Sequence, residues 1–188
     1  LRYLITTQDV GLLWSEERYG EFKKTYGELQ GKAVPDFTNF SDASFASRSV
    51  EFKSISGTIM YFRGFPLVWK SSKQTLRAMS TAEAEYIAAS DALSVEETLG
   101  FMKFVNEEGE IPLFVDNKSA ISIAKSPDTT KKSRHFMLRF CKVKDNARRL
   151  FFCPSTLQKA DALTKNVPFE TRMSLFHTAC CCVWMEDE

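Results

Sequence analysis

Polar and apolar residues alternate from Pro35 to Phe45, with Phe37, Asn39 and Ser41 on one side and Thr38, Phe40 and Asp42 on the other. That period of two predicts a strand whose polar side ends at Asp42. Ile55–Phe62 and Phe65–Lys70 predict two more strands, with Arg63-Gly64 as the turn between them. Pro66 cannot donate to a ladder, which places the third strand at a sheet edge. Together they predict an antiparallel meander. From Ser80 the period changes. Ser80 suits a helix N-cap, and Glu83 stands three residues on, where a capping-box carboxylate belongs. Glu85, Ala89 and Ala92 then share a stripe, with Ile87, Ala88 and Val95 on the adjoining face. This helix is expected to run toward Asn106 and to end by Gly109. Its small residues would let it lie close to a sheet and hold Glu85 at the edge of a core.

Further on, Ile111–Asp116 predicts a short strand and Asn117–Lys125 a helix stopped before Pro127. Lys131–Ala147 predicts a helix, Leu150–Cys153 a strand halted by Pro154, and Ala160 onward a helix lasting to Pro168. At the other end, Leu1–Ile5 has a helical pattern and Leu12-Leu13-Trp14 reads as a strand. Ser15–Lys32, charged and carrying Gly20, Gly27 and Gly31, reads as a loop or linker. Three strands, helix, strand, two helices, strand and helix make a mixed α/β fold, its parallel part built by crossovers.

Composition narrows this little. A chain of 188 residues with 44% hydrophobic content can bury one proper core, with extensions. Its formal net charge of +1 means that any nucleic-acid surface must be a local patch. The chain has no apolar run of membrane-spanning length and no charged-then-apolar leader. Cys141, Cys153 and the run Cys180-Cys181-Cys182 lack both a disulfide framework and zinc spacing, which predicts reduced thiols in an intracellular protein. A start at Leu1 rather than Met suggests a piece of something longer.

The acids carry the chemistry. Asp42 ends the first strand of the meander, Asp116 ends the fourth strand, Glu85 lies in the first turns of the intervening helix, and Asp161 opens the last one. A single Asp at an element end is usually a cap. Four of them, brought over adjacent strand ends, would repel one another unless hard cations sat among them. Oxygen-only ligands select Mg²⁺ or Mn²⁺, and two such ions about 4 Å apart would clamp the attacking and leaving oxygens of a phosphodiester displacement.

Specific strings extend the reading. They are Ser41-Asp42-Ala43, Lys53-Ser54-Ile55-Ser56-Gly57, Trp69-Lys70-Ser71-Ser72-Lys73-Gln74 and Ser80-Thr81-Ala82-Glu83-Ala84-Glu85-Tyr86-Ile87-Ala88. Val115-Asp116-Asn117, Ser133-Arg134-His135 and Ala160-Asp161-Ala162-Leu163-Thr164-Lys165 follow. In order and spacing, over about residues 38–168, the chain resembles the ribonuclease H domain of a copia-type LTR retrotransposon reverse transcriptase polyprotein. The resemblance implies a ribonuclease H-like fold with a mixed five-stranded sheet flanked by helices. Residues 35–168 would form that domain, residues 1–34 the tail of a preceding reverse transcriptase or connection segment with a linker, and residues 169–188 a C-terminal extension.

The resemblance also implies cleavage of the RNA strand of an RNA–DNA hybrid with two Mg²⁺ ions, or Mn²⁺ in their place. Asp42 would bridge both ions, Glu85 and Asp116 would complete one metal site, and Asp161 would belong to the other. RNA would be selected through 2′-hydroxyl contacts in a wide minor groove. The chain departs from the family's pattern at Lys118, where Gln is frequent, and at Ser44-Phe45, where Asp-Trp is common. As in copia-type domains generally, no mobile-loop His precedes the last Asp near Cys153-Pro154-Ser155.

Lys70 and Lys73, with Arg77, form a basic cluster suited to phosphates. Lys131, Lys132, Arg134 and His135 form a second. The expected nucleic-acid contacts are Lys70, Lys73, Asn117, Lys118, Arg134 and His135. Trp69 reads as a core anchor. The partners implied are an RNA–DNA hybrid and the remainder of the polyprotein, with no membrane, inside a cytoplasmic retroelement particle. Two other readings stand beside this one. A captured domain could serve as a structural subunit of a larger assembly, and a two-metal DNA nuclease or integrase core fits the fold but not the Glu85 helix.

Overall fold

The computed structural model describes residues 10–12, 14–45, 52–101, 110–126, 134–168 and 178–180. A sheet of five strands forms its centre: β2 (Phe37–Ser44), β3 (Ile55–Phe62), β4 (Phe65–Lys73), β5 (Leu113–Val115) and β6 (Leu150–Phe152), in spatial order β4-β3-β2-β5-β6. The three strands β2, β3 and β4 run antiparallel, whereas β5 pairs parallel with both β2 and β6. This is the mixed sheet that the pattern predicts, with β4 at its edge. The β3–β4 turn needs two residues in the left-handed region, which Arg63 at φ 48° and Gly64 at φ 74° supply. A separate two-stranded pair joins β1 (Val10–Leu12) to β7 (Thr178–Cys180).

Helices cover both faces. On one face lies α2 (Thr81–Phe101), with α3 (Lys118–Lys125) and α4 (Arg134–Asp145) beside it. Tyr86, Ile87 and Leu93 of α2 pack there with Leu113, Val115, Phe140 and Leu150. The small residues of α2 do what their spacing predicts: Ala84 and Ala88 sit against Ala43, so the helix approaches β2 closely. Deeper along it, the Asn39 side chain donates to the Ala92 carbonyl at 3.2 Å and ties strand to helix.

The other face is covered by a helix that the sequence pattern assigns to a loop. Ser15–Lys32 is a linker in that reading; the structure instead places α1 there, Glu16–Gln30. Ser15 caps it by accepting from the Arg18 amide, and Gly31 ends it. The three glycines mask a helical signal, because Tyr19, Phe22 and Tyr26 follow at three- and four-residue steps and are all buried. Their rings enter an aromatic cluster: Phe22 stacks on Tyr61 at 5.4 Å, and Tyr26 lies 5.0 Å from Phe40 and 5.2 Å from Phe114. The Tyr26 hydroxyl donates to the Leu157 carbonyl at 2.8 Å. Exposed charge on the outer face and two glycines inside the helix gave the stretch the look of a connector.

Trp69 also departs from expectation. It is 54% exposed on β4, the edge strand of the sheet. The predicted helical end at Leu1–Ile5, the end of α2 beyond Phe101, Lys131 and Lys132, Cys181, Cys182 and most of the C-terminal extension lie outside the described residues. Among the described residues, Cys141 and Cys153 are free thiols, and no helix is long and apolar enough to cross a membrane.

Phe22→Ala tests whether α1 is part of the core. Removing a buried ring should cost roughly 3 kcal/mol or more in chemical denaturation. A helix serving only as a connector would leave the unfolding midpoint unchanged.

Candidate metal centre

Parallel pairing of β2 with β5 decides where the first two acids go. The register sets Ser41 opposite Val115, so the next residue on each strand, Asp42 and Asp116, emerges at the same sheet end. Asp42 is fully buried, and Asp116 is partly so. The third acid comes from the short helix α5 (Asp161–Thr164), which packs on β3 and β2. Asp42, Asp116 and Asp161 each offer a carboxylate oxygen within 4.8 Å of the others.

Position 57 makes that approach feasible. Gly57 pairs with Asp42 across the β2–β3 ladder. A Cβ there would stand 2.7 Å from Thr164 Cγ2, 2.9 Å from the Ala160 carbonyl and 3.0 Å from Leu163 Cβ. Any side chain would push α5 off the strand. One strand further out, Ser71 pairs with Gly57 and its hydroxyl donates to the Leu163 carbonyl at 2.6 Å. The loop leading into α5 is fixed by Gln158, which is fully buried. Its side-chain amide donates to the Ser41 carbonyl at 3.0 Å and lies 3.5 Å from the Phe114 carbonyl, and its oxygen accepts from the Ala160 amide at 3.3 Å.

Contacts to the acids are few. Thr164 donates its hydroxyl to Asp42 Oδ2, and Ser155 donates to Asp116 Oδ2 at 3.2 Å. The Lys165 ammonium lies 2.8 Å from Asp161 Oδ1 and 3.6 Å from Asp42 Oδ1. Glu85 reaches the same end from α2. Its Oε1 accepts from the Ala43 amide at 3.2 Å. It is 3% exposed and feels the charges of Asp42 and Asp116, but it is not one of the three acids whose oxygens lie within 4.8 Å of one another. Among the described residues no donor hydrogen-bonds to Glu85 Oε2 or to Asp42 Oδ1, which meets only the Lys165 ammonium at 3.6 Å, although both oxygens are buried.

Electrostatics follow from this crowding. Burial, opposed by the Thr164 hydrogen bond and the Lys165 charge, pushes Asp42 up to about 6. Burial first, and then the charges of Asp42 and Asp116, push Glu85 up to about 9. Asp116 also rises, again chiefly through burial. Burial works against the charge on Lys165, but its hydrogen bond to Asp161 and the surrounding carboxylates outweigh that and raise its pKa. Two buried oxygens without donors, beside a cluster of hard ligands, are what a divalent cation would satisfy. The residues therefore fit such an ion.

The residues expected to touch nucleic acid are less gathered. Lys70 and Lys73 are both exposed on β4, which extends to Lys73, past the predicted end at Lys70. Lys73 lies two residues beyond Ser71, on the face that α5 shares. Asn117 caps α3 by accepting from the Ala120 amide at 2.9 Å. Lys118 is exposed, with its ammonium 4.6 Å from the centre of the Phe152 ring. Arg134 and His135 begin α4, and their side chains lie outside the described residues.

Gly57, Thr164 and Lys165 stand in the strings that carry the resemblance but have no stated role there, and Gln158 is not singled out in the sequence at all. Helical spacing could have found two of them, since Thr164 and Lys165 follow Asp161 by three and four positions and so share its side of a helix. Gln158 and Gly57 act through tertiary contacts that no local pattern shows.

No protein-family model matches the chain. It is 30% identical over 146 residues to the retrovirus-related Pol polyprotein from transposon TNT 1-94 of Nicotiana tabacum, a match covering 73% of this chain and 11% of that protein. It is 29% identical over 180 residues to the transposon Ty1-LR3 Gag-Pol polyprotein of Saccharomyces cerevisiae, covering 91% of this chain and 10% of the relative. The chain thus spans about a tenth of the length of these relatives. Among solved structures, the N-terminal RNase H domain of a Mycobacterium tuberculosis protein, studied as a fusion with maltose-binding protein, superposes with a TM-score of 0.51 at 14% identity. That match covers 73% of this chain and 96% of the other. A likeness at that identity establishes the fold.

The raised Glu85 pKa makes a signed prediction. The folded protein binds this proton more tightly than the unfolded chain, so the contribution of Glu85 is most favourable at acid pH. It is lost as pH rises from the ordinary Glu range through about 9. In EDTA, Glu85→Gln should be more stable than wild type at pH 8 by about 1–2 kcal/mol, and the difference should close near pH 4. A difference independent of pH would mean that Glu85 is not held in this field.

Proposed function

The chain is a homologue of a short part of the Ty1/copia-type Gag-Pol polyproteins and has the ribonuclease H fold, and from that premise we propose that it is a metal-dependent endoribonuclease acting on the RNA strand of RNA–DNA hybrids. One observation carries the reading. Three carboxylates from three separate elements converge within 4.8 Å at one sheet end, where Asp42 and Glu85 each keep a buried oxygen without a donor.

Asp42, Asp116 and Asp161 would hold divalent cations, Mg²⁺ or Mn²⁺ by their oxygen-only chemistry. Two such ions, when bound, supply the activation of a water and the stabilisation of the leaving oxygen in phosphodiester hydrolysis. The protein's own part is placement. Thr164 orients Asp42 through Oδ2, which leaves Oδ1 to face the site. Ser155 orients Asp116 in the same way. Glu85, anchored on the Ala43 amide, would keep its second oxygen toward the cluster. Exposed Lys70, Lys73 and Lys118 would take phosphates of the duplex, contacts that position a substrate without reading its sequence. The polyprotein relatives support a partnership with further reverse transcriptase segments.

The test is a labelled RNA–DNA hybrid incubated with the protein in millimolar Mg²⁺. The RNA strand should be cut, and EDTA should stop the reaction. Asp42→Asn and Asp116→Asn should each lower the rate by roughly a hundredfold or more, the scale on which loss of one electrostatic group acts in such sites. Cleavage that survives both substitutions would remove the assignment. A wild-type protein that is inert on the hybrid but isolates with a fixed set of proteins would favour a structural subunit instead.

A further inference from the structure

Lys165 stands where a cation belongs. An ordinary i,i+4 pair with Asp161 would lie in solvent and matter little. This ammonium also approaches Asp42 Oδ1 to 3.6 Å, and that carboxylate is fully buried while the Lys165 side chain is 43% exposed. Its charge acts on Asp116 as well, where it favours the ionised form. One lysine therefore faces all three acids of the cluster, and among the described residues both ion pairs to Asp42 and Asp161 come from it. The formal charges are informative. Three carboxylates and one ammonium sum to two negatives, which a single divalent cation balances. A second divalent ion would then have to enter beside that ammonium, an unfavourable like-charge contact.

Resting on the metal-dependent reading above, we propose that Lys165 is a tethered cation that occupies one of the two cation places in the substrate-free protein. The chain alone would then take up one divalent ion, and the second would require Lys165 to leave, for instance toward a substrate phosphate. Position favours this part. Lys165 directly follows α5, in extended backbone, with its amide bonded to the Asp161 carbonyl. The side chain can swing outward without disturbing the helix that carries Asp161.

Counting ions tests it without recourse to turnover. Metal-stripped full chain is titrated with Mn²⁺ in the absence of nucleic acid, and free Mn²⁺ is read by electron paramagnetic resonance. Wild type should bind one ion per chain. Lys165→Met, which keeps the length and loses the charge, should bind two, the second about tenfold or more tighter than in wild type, the effect expected of removing a like charge at this range. Lys165→Arg should stay at one. Thermal melting of each variant confirms that it is folded, and Lys165→Gln repeats the neutralisation with a different shape. Two ions in wild type with constants matching those of Lys165→Met would overturn the proposal. So would one ion in both neutral variants, or two in Lys165→Arg. No uptake by wild type would instead sink the metal-dependent reading itself, and this inference with it.

Discussion

Like charges brought together at a buried place repel, and holding Asp42, Asp116 and Asp161 within 4.8 Å is the demand that the surrounding structure meets. Backbone pairing does the first part, because the parallel β2–β5 register sets Asp42, within β2, beside Asp116, which directly follows β5. A missing side chain does the second. Gly57 lets α5 lie on the strand that neighbours Asp42, at contacts that any Cβ would violate. A fully buried amide, Gln158, does the third by joining β2 to the loop that enters α5. On the opposite face, Ala84 and Ala88 bring α2 down onto Ala43, and Glu85 arrives one position later in that helix. Each of these contacts is short-range packing, and each constrains a charged group.

Such an arrangement makes sense only if something offsets the repulsion. Lys165 offsets part of it from within the chain. Glu85 Oε2, and Asp42 Oδ1 with only the Lys165 ammonium at 3.6 Å, have no hydrogen-bond donor and mark the part that the described protein groups leave over. On the reading proposed above, hard cations would supply that remainder and turn it to phosphodiester hydrolysis. On the same reading, the exposed lysines Lys70, Lys73 and Lys118 would be the surface for a polyanion. They are few, in keeping with a net charge of +1.

Much of this was legible in the sequence where the signal is periodic. The meander, its Arg63-Gly64 turn and the edge position of β4 follow from alternation and turn chemistry, and the crossover strands from short apolar runs. Asp116 was found because it ends a strand and Asp161 because it opens a helix, whereas Asp42, read as a strand end, lies within β2, which continues to Ser44. The α1 helix was not found, since Gly20 and Gly27 inside it and its charged outer face obscured the buried steps Tyr19, Phe22 and Tyr26. Trp69 was misplaced because burial on an edge strand depends on what lies over it, which strand periodicity does not record. Gln158, Gly57 and the cationic part of Lys165 depend on elements distant in the chain meeting in space. Only the assembled fold brings those out.

The central claim is that these acids form one repulsive site awaiting a cation, and thermal melting in the presence and absence of metal tests it most directly. In EDTA, Asp116→Asn should melt above wild type, because one of the confined charges is gone. Millimolar Mg²⁺ should raise the wild-type midpoint, since the ion binds only the folded state, and should raise that of the variant much less. Equal midpoints in EDTA, with no Mg²⁺ effect on either protein, would contradict the account.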